Sequence, residues 1–188
     1  MDALMAALVA AAAAQVGDRT AWLAAILADR WRRPGLVIIT AALGLLAASG
    51  IAAAGGALIA PTIAPQARQL LLALALLLQG AGSFFPAKMP DRLTGWRIGA
   101  GATTFLGMTI LAFGDGIQFI VAALAARTTV PALAAIGATL GSLAIIAPAA
   151  LLGEAAWLRL PLHRARMVIG AAFLILGATL ALGALGLV

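Results

Sequence analysis

The sequence predicts an all-α integral membrane protein of six transmembrane helices, arranged as two inverted three-helix repeats. Three observations carry that prediction. The first is composition: of 188 residues, 64% are hydrophobic and only 10% are charged, and the mean hydropathy is +1.13. A soluble domain carries about 25% charged and about 45–50% apolar residues. The second is punctuation. Seven of the eight prolines fall at or beside the ends of apolar runs long enough to cross a bilayer, which takes about 20 residues. The third is a Gly-Asp pair inside the first apolar run of each half, Gly17-Asp18 and Gly114-Asp115. An odd number of spans per half inserts the two halves in opposite orientation, the architecture of many secondary transporters.

The elements follow in order. Helix 1 is expected from about Ala3 to Ala28, stopping at Asp29-Arg30-Trp31-Arg32-Arg33-Pro34, and helix 2 from about Gly35 to Ile59. Helix 3 should run from about Arg68 to Phe85, after Pro61 and Pro65. Residues 1–85 then form the first repeat and 86–95, with Pro86, Lys88, Pro90, Asp91 and Arg92, the cytoplasmic linker. Residues 96–188 form the second repeat. Its helix 4 spans about Trp96 to Ala126 and is long enough to include an interfacial turn or a break, helix 5 spans about Val130 to Leu152, and helix 6 about Arg164 to Val188. Pro148 falls inside helix 5, where a bend is expected. Glu154 to His163 reads as a solvated loop.

The formal net charge is +6. The basic residues cluster at helix ends rather than in a stripe with interleaved aromatics, so they address anionic lipid headgroups and set topology; nucleic acid is not an expected partner. The odd-numbered loops hold Arg30, Arg32, Arg33, Lys88, Arg92, Arg97, Arg159, Arg164 and Arg166, against Arg68 and Arg127 on the other side. This puts those loops in the cytoplasm and both termini outside. Trp22, Trp31, Trp96 and Trp157 lie near span ends, as interface anchors do. Alanine- and arginine-rich usage fits a GC-rich bacterial genome and an inner-membrane location. With no cysteine, disulfides, thiolate metal sites and thiol redox chemistry are excluded, and no nucleophile, base and acid arrangement suggests an enzyme.

A carboxylate at bilayer depth costs ~2.5–3.5 kcal/mol on insertion scales and is a functional-site candidate for that reason. The first motif is Gln15-Val16-Gly17-Asp18-Arg19-Thr20 and its partial echo is Phe113-Gly114-Asp115-Gly116-Ile117-Gln118. Aligning Gly17 with Gly114 also aligns Arg30 with Arg127. On continuous helices Gln15 and Asp18, and likewise Asp115 and Gln118, would share a face. Bringing the halves together then gathers two carboxylates, two amide oxygens and the Thr20 hydroxyl. Such an all-oxygen set, Asp18, Asp115, Gln15, Gln118 and Thr20, suits a hard divalent cation such as Mn²⁺, Ca²⁺ or Mg²⁺. Arg19 would neutralise the site when empty. The competing reading makes Asp18 a structural polar contact.

These motifs resemble the E-x-G-D-[KR]-[TS] signature of the Gdt family of cation/proton exchangers, which carries one motif in the first helix of each three-helix repeat. The segments Gly137-Ala138-Thr139-Leu140-Gly141, Gly153-Glu154, Leu160-Pro161-Leu162 and Phe173-Leu174-Ile175-Leu176-Gly177 are also similar to the family's second half. The resemblance implies a transporter, not an enzyme, moving Mn²⁺ or Ca²⁺ in exchange for protons, with no resident cofactor and a homodimer among its possible states. The departures fall on the ligands. The signature's glutamate is Gln15 in one motif and Ala112 in the other; its cationic and hydroxyl positions, Arg19 and Thr20, become Gly116 and Ile117. A dication would meet two carboxylates where the family supplies four, so a weakened or altered site is expected. The alternatives are a carrier of another small cation, or a non-transporting membrane partner or regulatory relative.

Overall fold

The computed structural model describes residues 2–187. Among the described residues eight α-helices follow one another: α1 (Asp2–Gln15), α2 (Arg19–Trp31), α3 (Pro34–Ile59), α4 (Pro65–Ser83), α5 (Ala100–Phe113), α6 (Ile117–Ala125), α7 (Ala132–Trp157) and α8 (Leu162–Ala184). No strand occurs among the described residues. Proline opens α3 and α4 in their first turn, where its missing N–H leaves no helical bond unmade. Three helical stretches are long and apolar enough to cross a membrane: Pro34–Thr62, which includes the single 3₁₀ turn after α3, Ala132–Trp157 and Leu162–Ala184. The pair α5 and α6, bent by 74° at its junction, makes a fourth if counted as one broken span. The other two expected spans take different forms. α4 is 19 residues long and carries Arg68 with Gln66, Gln69 and Gln79; the first is divided into α1 and α2.

Helix 1 is therefore not continuous, and the helix-face argument for Gln15 and Asp18 fails: Val16–Asp18 leave the helix between them. Helix 4 starts at Ala100 and breaks at Gly114–Gly116. Both breaks fall on the Gly-Asp pairs. Helix 3 begins at Pro65 rather than Arg68, and α7 runs on to Trp157, so Glu154 is not in a loop. Within α7 the backbone leaves helical dihedrals at Gly153 (φ 76°, ψ 170°), five residues beyond Pro148. His163 lies in the first turn of α8 rather than in a loop. The expected last residue of helix 6, Val188, lies outside the described residues.

The packing crosses between the halves. α1 and α2 lie along α7, α5 and α6 lie along α3, and α4 pairs with α8. Small residues allow the closest approaches. A Cβ on Gly137 or Gly141 would overlap the α1 carbonyls of Leu4 and Leu8, and one on Gly44 would stand 2.7 Å from the Phe105 carbonyl of α5. Without a hydrophobic drive between helices in lipid, such close backbone packing supplies much of the association. Two apolar clusters flank the breaks. One joins Ala7, Ala11, Leu72, Leu76, Ile117, Ile120 and Phe173. The other joins Leu23, Leu27, Leu45, Met108, Ile146 and Trp157. Trp157 is thus core rather than an interface anchor, while Trp22 and Trp31 pack partly buried against the same cluster. Surfaces of α3 and α8 remain widely apolar and exposed, through Ile39, Ile51, Leu58, Val168 and Ile175, as lipid-facing helices require.

Candidate functional site

The first break is built on local hydrogen bonding. α1 ends in tight turns, with the Val16 and Asp18 amides donating to the Ala13 and Gln15 carbonyls at 3.2 Å each. Gly17 then takes φ +70°, a conformation glycine adopts without a Cβ penalty. Leu162 of α8 packs against it so closely that a Cβ there would lie 3.2 Å from the leucine's own Cβ. Asp18 is extended (φ −86°, ψ 160°) and caps α2: its Oδ2 accepts from the Thr20 amide at 3.1 Å and from the Thr20 hydroxyl at 2.9 Å. An N-cap carboxylate satisfies an otherwise unpaired helix amide and meets the positive end of the helix dipole.

The other carboxylate oxygen of Asp18 faces α8. Arg166 Nη1 stands 3.8 Å from Asp18 Oδ1 and donates to the Gly17 carbonyl at 3.0 Å, while Nη2 donates to the Gly82 carbonyl at the end of α4 at 3.3 Å. Arg166 is accordingly not a free cytoplasmic charge. It is a partly buried residue of α8 that joins the break to α4 and α8. Asp18 pairs with it and not with its neighbour Arg19.

The second break is made differently. Gly114 (φ −89°, ψ 7°) and Gly116 (φ −58°, ψ −23°) keep negative φ. The Asp115 amide donates to the Ala112 carbonyl at 3.0 Å, and the Asp115 carbonyl accepts from the Gln118 amide at 3.1 Å. The N-cap of α6, Gly116, has no side chain with which to cap it, and Ile117 offers no hydroxyl where the first motif has Thr20. The Oε1 of Gln79 from α4 occupies the place a Cβ on Gly116 would take, so a larger residue there would displace the end of that side chain.

The two breaks meet at one cavity of about 310 Å³. Asp18 and Asp115, 8% and 9% exposed, both line it. So do Arg19, Gln79, Lys88 and Arg166, with the backbone of Gly114 and Gly116 and the apolar Leu78, Phe85 and Phe119. Two carboxylates therefore face three cationic side chains. The remaining predicted residues lie elsewhere. Thr20 is fully buried and spends its hydroxyl on Asp18. Gln15 is fully buried and donates to the Ser142 hydroxyl of α7 at 3.5 Å, while Gln118 is 8% exposed; neither lines the cavity. The Oε1 atoms of both glutamines lack a partner among the described residues. No group of three or more His, Cys, Asp or Glu side chains converges among those residues, so two carboxylates are the anionic complement of the site.

Sequence reasoning missed Gln79 and the reach of Arg166. The signal for Gln79 was present, as a lone amide after Leu76-Leu77-Leu78 inside an apolar helix, the same criterion that singled out the aspartates. Arg166 reads in sequence as one of several basic residues at the start of the last helix, and only the packing of α8 shows where it reaches. Glu154 also has partners. Its carboxylate pairs with Arg92 at 2.5 Å and its amide donates to Asp29 Oδ2 at 2.7 Å. Arg30 holds the linker through the Leu93 carbonyl at 2.6 Å and the Trp96 carbonyl at 3.3 Å. The floor of the cavity, residues 86–88, is thereby continuous with a segment anchored to α2 and α7.

Comparison with known proteins places this geometry in context. A curated protein of Vibrio cholerae serotype O1 (strain ATCC 39541 / Classical Ogawa 395 / O395), named "Putative manganese exporter", is 27% identical over 177 residues, covering 94% of this chain and 88% of the relative. No solved structure matches the chain. The family described as "Divalent cation/proton antiporter GDT1" matches residues 3–91 and 100–186, each range holding one break and its aspartate. The chain belongs to that family of membrane transporters.

Proposed function

We propose that this protein is a secondary transporter of a divalent cation, Mn²⁺ first and Ca²⁺ second, exchanged for protons across a bacterial inner membrane. Asp18 and Asp115 are the direct ligands. The observation that carries this reading is their convergence: two buried aspartates, from breaks in different halves, line one cavity. Discontinuous helices that present side chains and backbone to a midplane cavity are the usual construction of such sites. Oxygen ligands suit hard dications, and the named relative's manganese supports that ion ahead of calcium. Thr20 orients Asp18. Gln15 and Gln118 hold amide oxygens in reserve, to be brought in when the breaks rearrange.

The same reading takes residues 1–85 and 96–188 as inverted repeats joined by a cytoplasmic linker at 86–95, with both termini outside. Its support is the reciprocal packing, in which the broken segment of each half lies on the middle helix of the other. The test is flux in proteoliposomes. Wild-type protein should carry Mn²⁺ with a pH gradient as driving force, and Asp18→Asn and Asp115→Asn should each abolish it. Unchanged flux in both variants overturns the site. A folded wild-type protein that moves neither Mn²⁺ nor Ca²⁺ favours the non-transporting relative, a reading that draws on the two missing glutamates at Gln15 and Ala112.

A further inference from the structure

We infer that Arg166 is a tethered counter-cation, held in the place of the transported ion and displaced from Asp18 when that ion binds. The inference deepens the proposed function and rests on it for the identity of the site.

Asp18 divides its two oxygens between different tasks. Oδ2 is committed to α2 through the Thr20 amide and hydroxyl. Oδ1 is left facing Arg166, and the carbonyl of Gly17, which lines the adjoining cavity of about 250 Å³, shares the same guanidinium nitrogen. A carboxylate oxygen and a carbonyl oxygen together make one corner of a hard-cation site. Arg166 Nη1 fills that corner now, 3.0 Å from the carbonyl and 3.8 Å from the carboxylate. Its second nitrogen is held by Gly82, so the guanidinium is oriented by three elements and not merely attracted to the acid.

Charge gives the second reason. A dication entering beside Asp18 and Asp115 would meet Arg19, Lys88 and Arg166 on the same walls. Like charges this close in a partly dehydrated cavity repel strongly. Lys88 is exposed and has bulk water available, and Arg19 extends to a neighbouring cavity lined by Leu93, Trp96 and Gly107. Arg166 is the cation within reach of Asp18. It and Asp18 also form the wall shared with a cavity of about 250 Å³ lined by Trp157, His163 and Leu162. Swinging Arg166 off Asp18 both frees the ligand corner and gives the guanidinium somewhere to go. The arrangement makes Arg166 a specificity-determining residue: it lowers affinity for any cation too weak to displace it and keeps Asp18 neutralised while the site is empty.

The test is Mn²⁺ binding to purified protein in nanodiscs, read from loss of the free-ion electron paramagnetic resonance signal. Wild type, Arg166→Gln, Arg166→Lys and Asp115→Asn are compared, each first shown to be monodisperse with a cooperative thermal transition. Arg166→Gln should bind Mn²⁺ about tenfold more tightly than wild type, about 1.4 kcal/mol. Arg166→Lys, which keeps the charge, should stay near wild type, a rescue that a purely structural role would not produce. Equal or weaker binding in folded Arg166→Gln overturns the inference. If wild type binds and Asp115→Asn does not, that failure leaves the proposed site standing. If no variant binds Mn²⁺, both fall together. Should Arg166→Gln prove unstable, tighter binding by Arg166→Met relative to Arg166→Lys supports the inference, and equal binding overturns it.

Discussion

The two helix breaks serve the same cavity but are held open by different means. At Val16–Asp18 the chain turns through a glycine of positive φ, and the aspartate is fastened on both sides, to Thr20 on one and Arg166 on the other. At Gly114–Gly116 no residue has positive φ, the N-cap of the following helix is a glycine with no side chain, and the chain bends by 74° beside the Oε1 of Gln79. The first break is a hydrogen-bonded corner. The second is a bend at glycines with a neighbour's amide packed beside it. On the proposed function, the difference would make Asp18 the fixed ligand and Asp115 the movable one.

That comparison can be broken in several places. The largest effect is expected at the carboxylates, where Asp18→Asn and Asp115→Asn should each lower Mn²⁺ flux by about a hundredfold or more. Loss in one variant alone would show that a single half carries the ion. Next come the glycines. Gly17→Ala forces an L-residue to φ +70° against Leu162 and should destabilise by about 1–3 kcal/mol in reversible unfolding. Gly114→Ala meets nothing nearer than 3.9 Å at an ordinary φ and should change stability by less than about 0.5 kcal/mol. Equal effects would remove the distinction between the breaks. Thr20→Val removes the hydroxyl from Asp18 and leaves it the residue-20 amide alone, and should cost about 1 kcal/mol of stability with a measurable loss of flux. The smallest effect belongs to Glu154→Gln. Its partner Arg92 is 48% exposed, so the loss should be about 0–1 kcal/mol in the same unfolding measurement, with flux unchanged.

Much of this was legible before any fold was known. Hydropathy and proline positions located α3, α7 and α8 to within a few residues, because a bilayer demands length and apolarity that few other structures share. The Gly-Asp pairs were recognisable because buried carboxylates are costly. What the pattern could not show was that each pair interrupts its helix. Val16-Gly17-Asp18 and Gly114-Asp115-Gly116 are poor helix formers, but glycine also stands inside unbroken helix, as Gly137 and Gly141 do; contacts from Leu162 and Arg166 at the first break and Gln79 at the second add to the local turn bonding there. The face-sharing of Gln15 with Asp18 failed for that reason. Trp157 similarly looked like an interface residue by position and became core through α2 and α3 packing around it.

By itself the sequence determined an integral membrane protein of apolar helices, two acidic points of interest and a likeness to cation exchangers, since these follow from transfer energies and short motifs that need no partner. Only the tertiary structure decided that Asp18 and Asp115 share a cavity, that Gln15 and Gln118 stand outside it, and that Arg166 comes from the last helix to face Asp18. Each of those facts depends on backbones approaching across glycines between helices remote in sequence, and distance of that kind is set by packing rather than by any local preference.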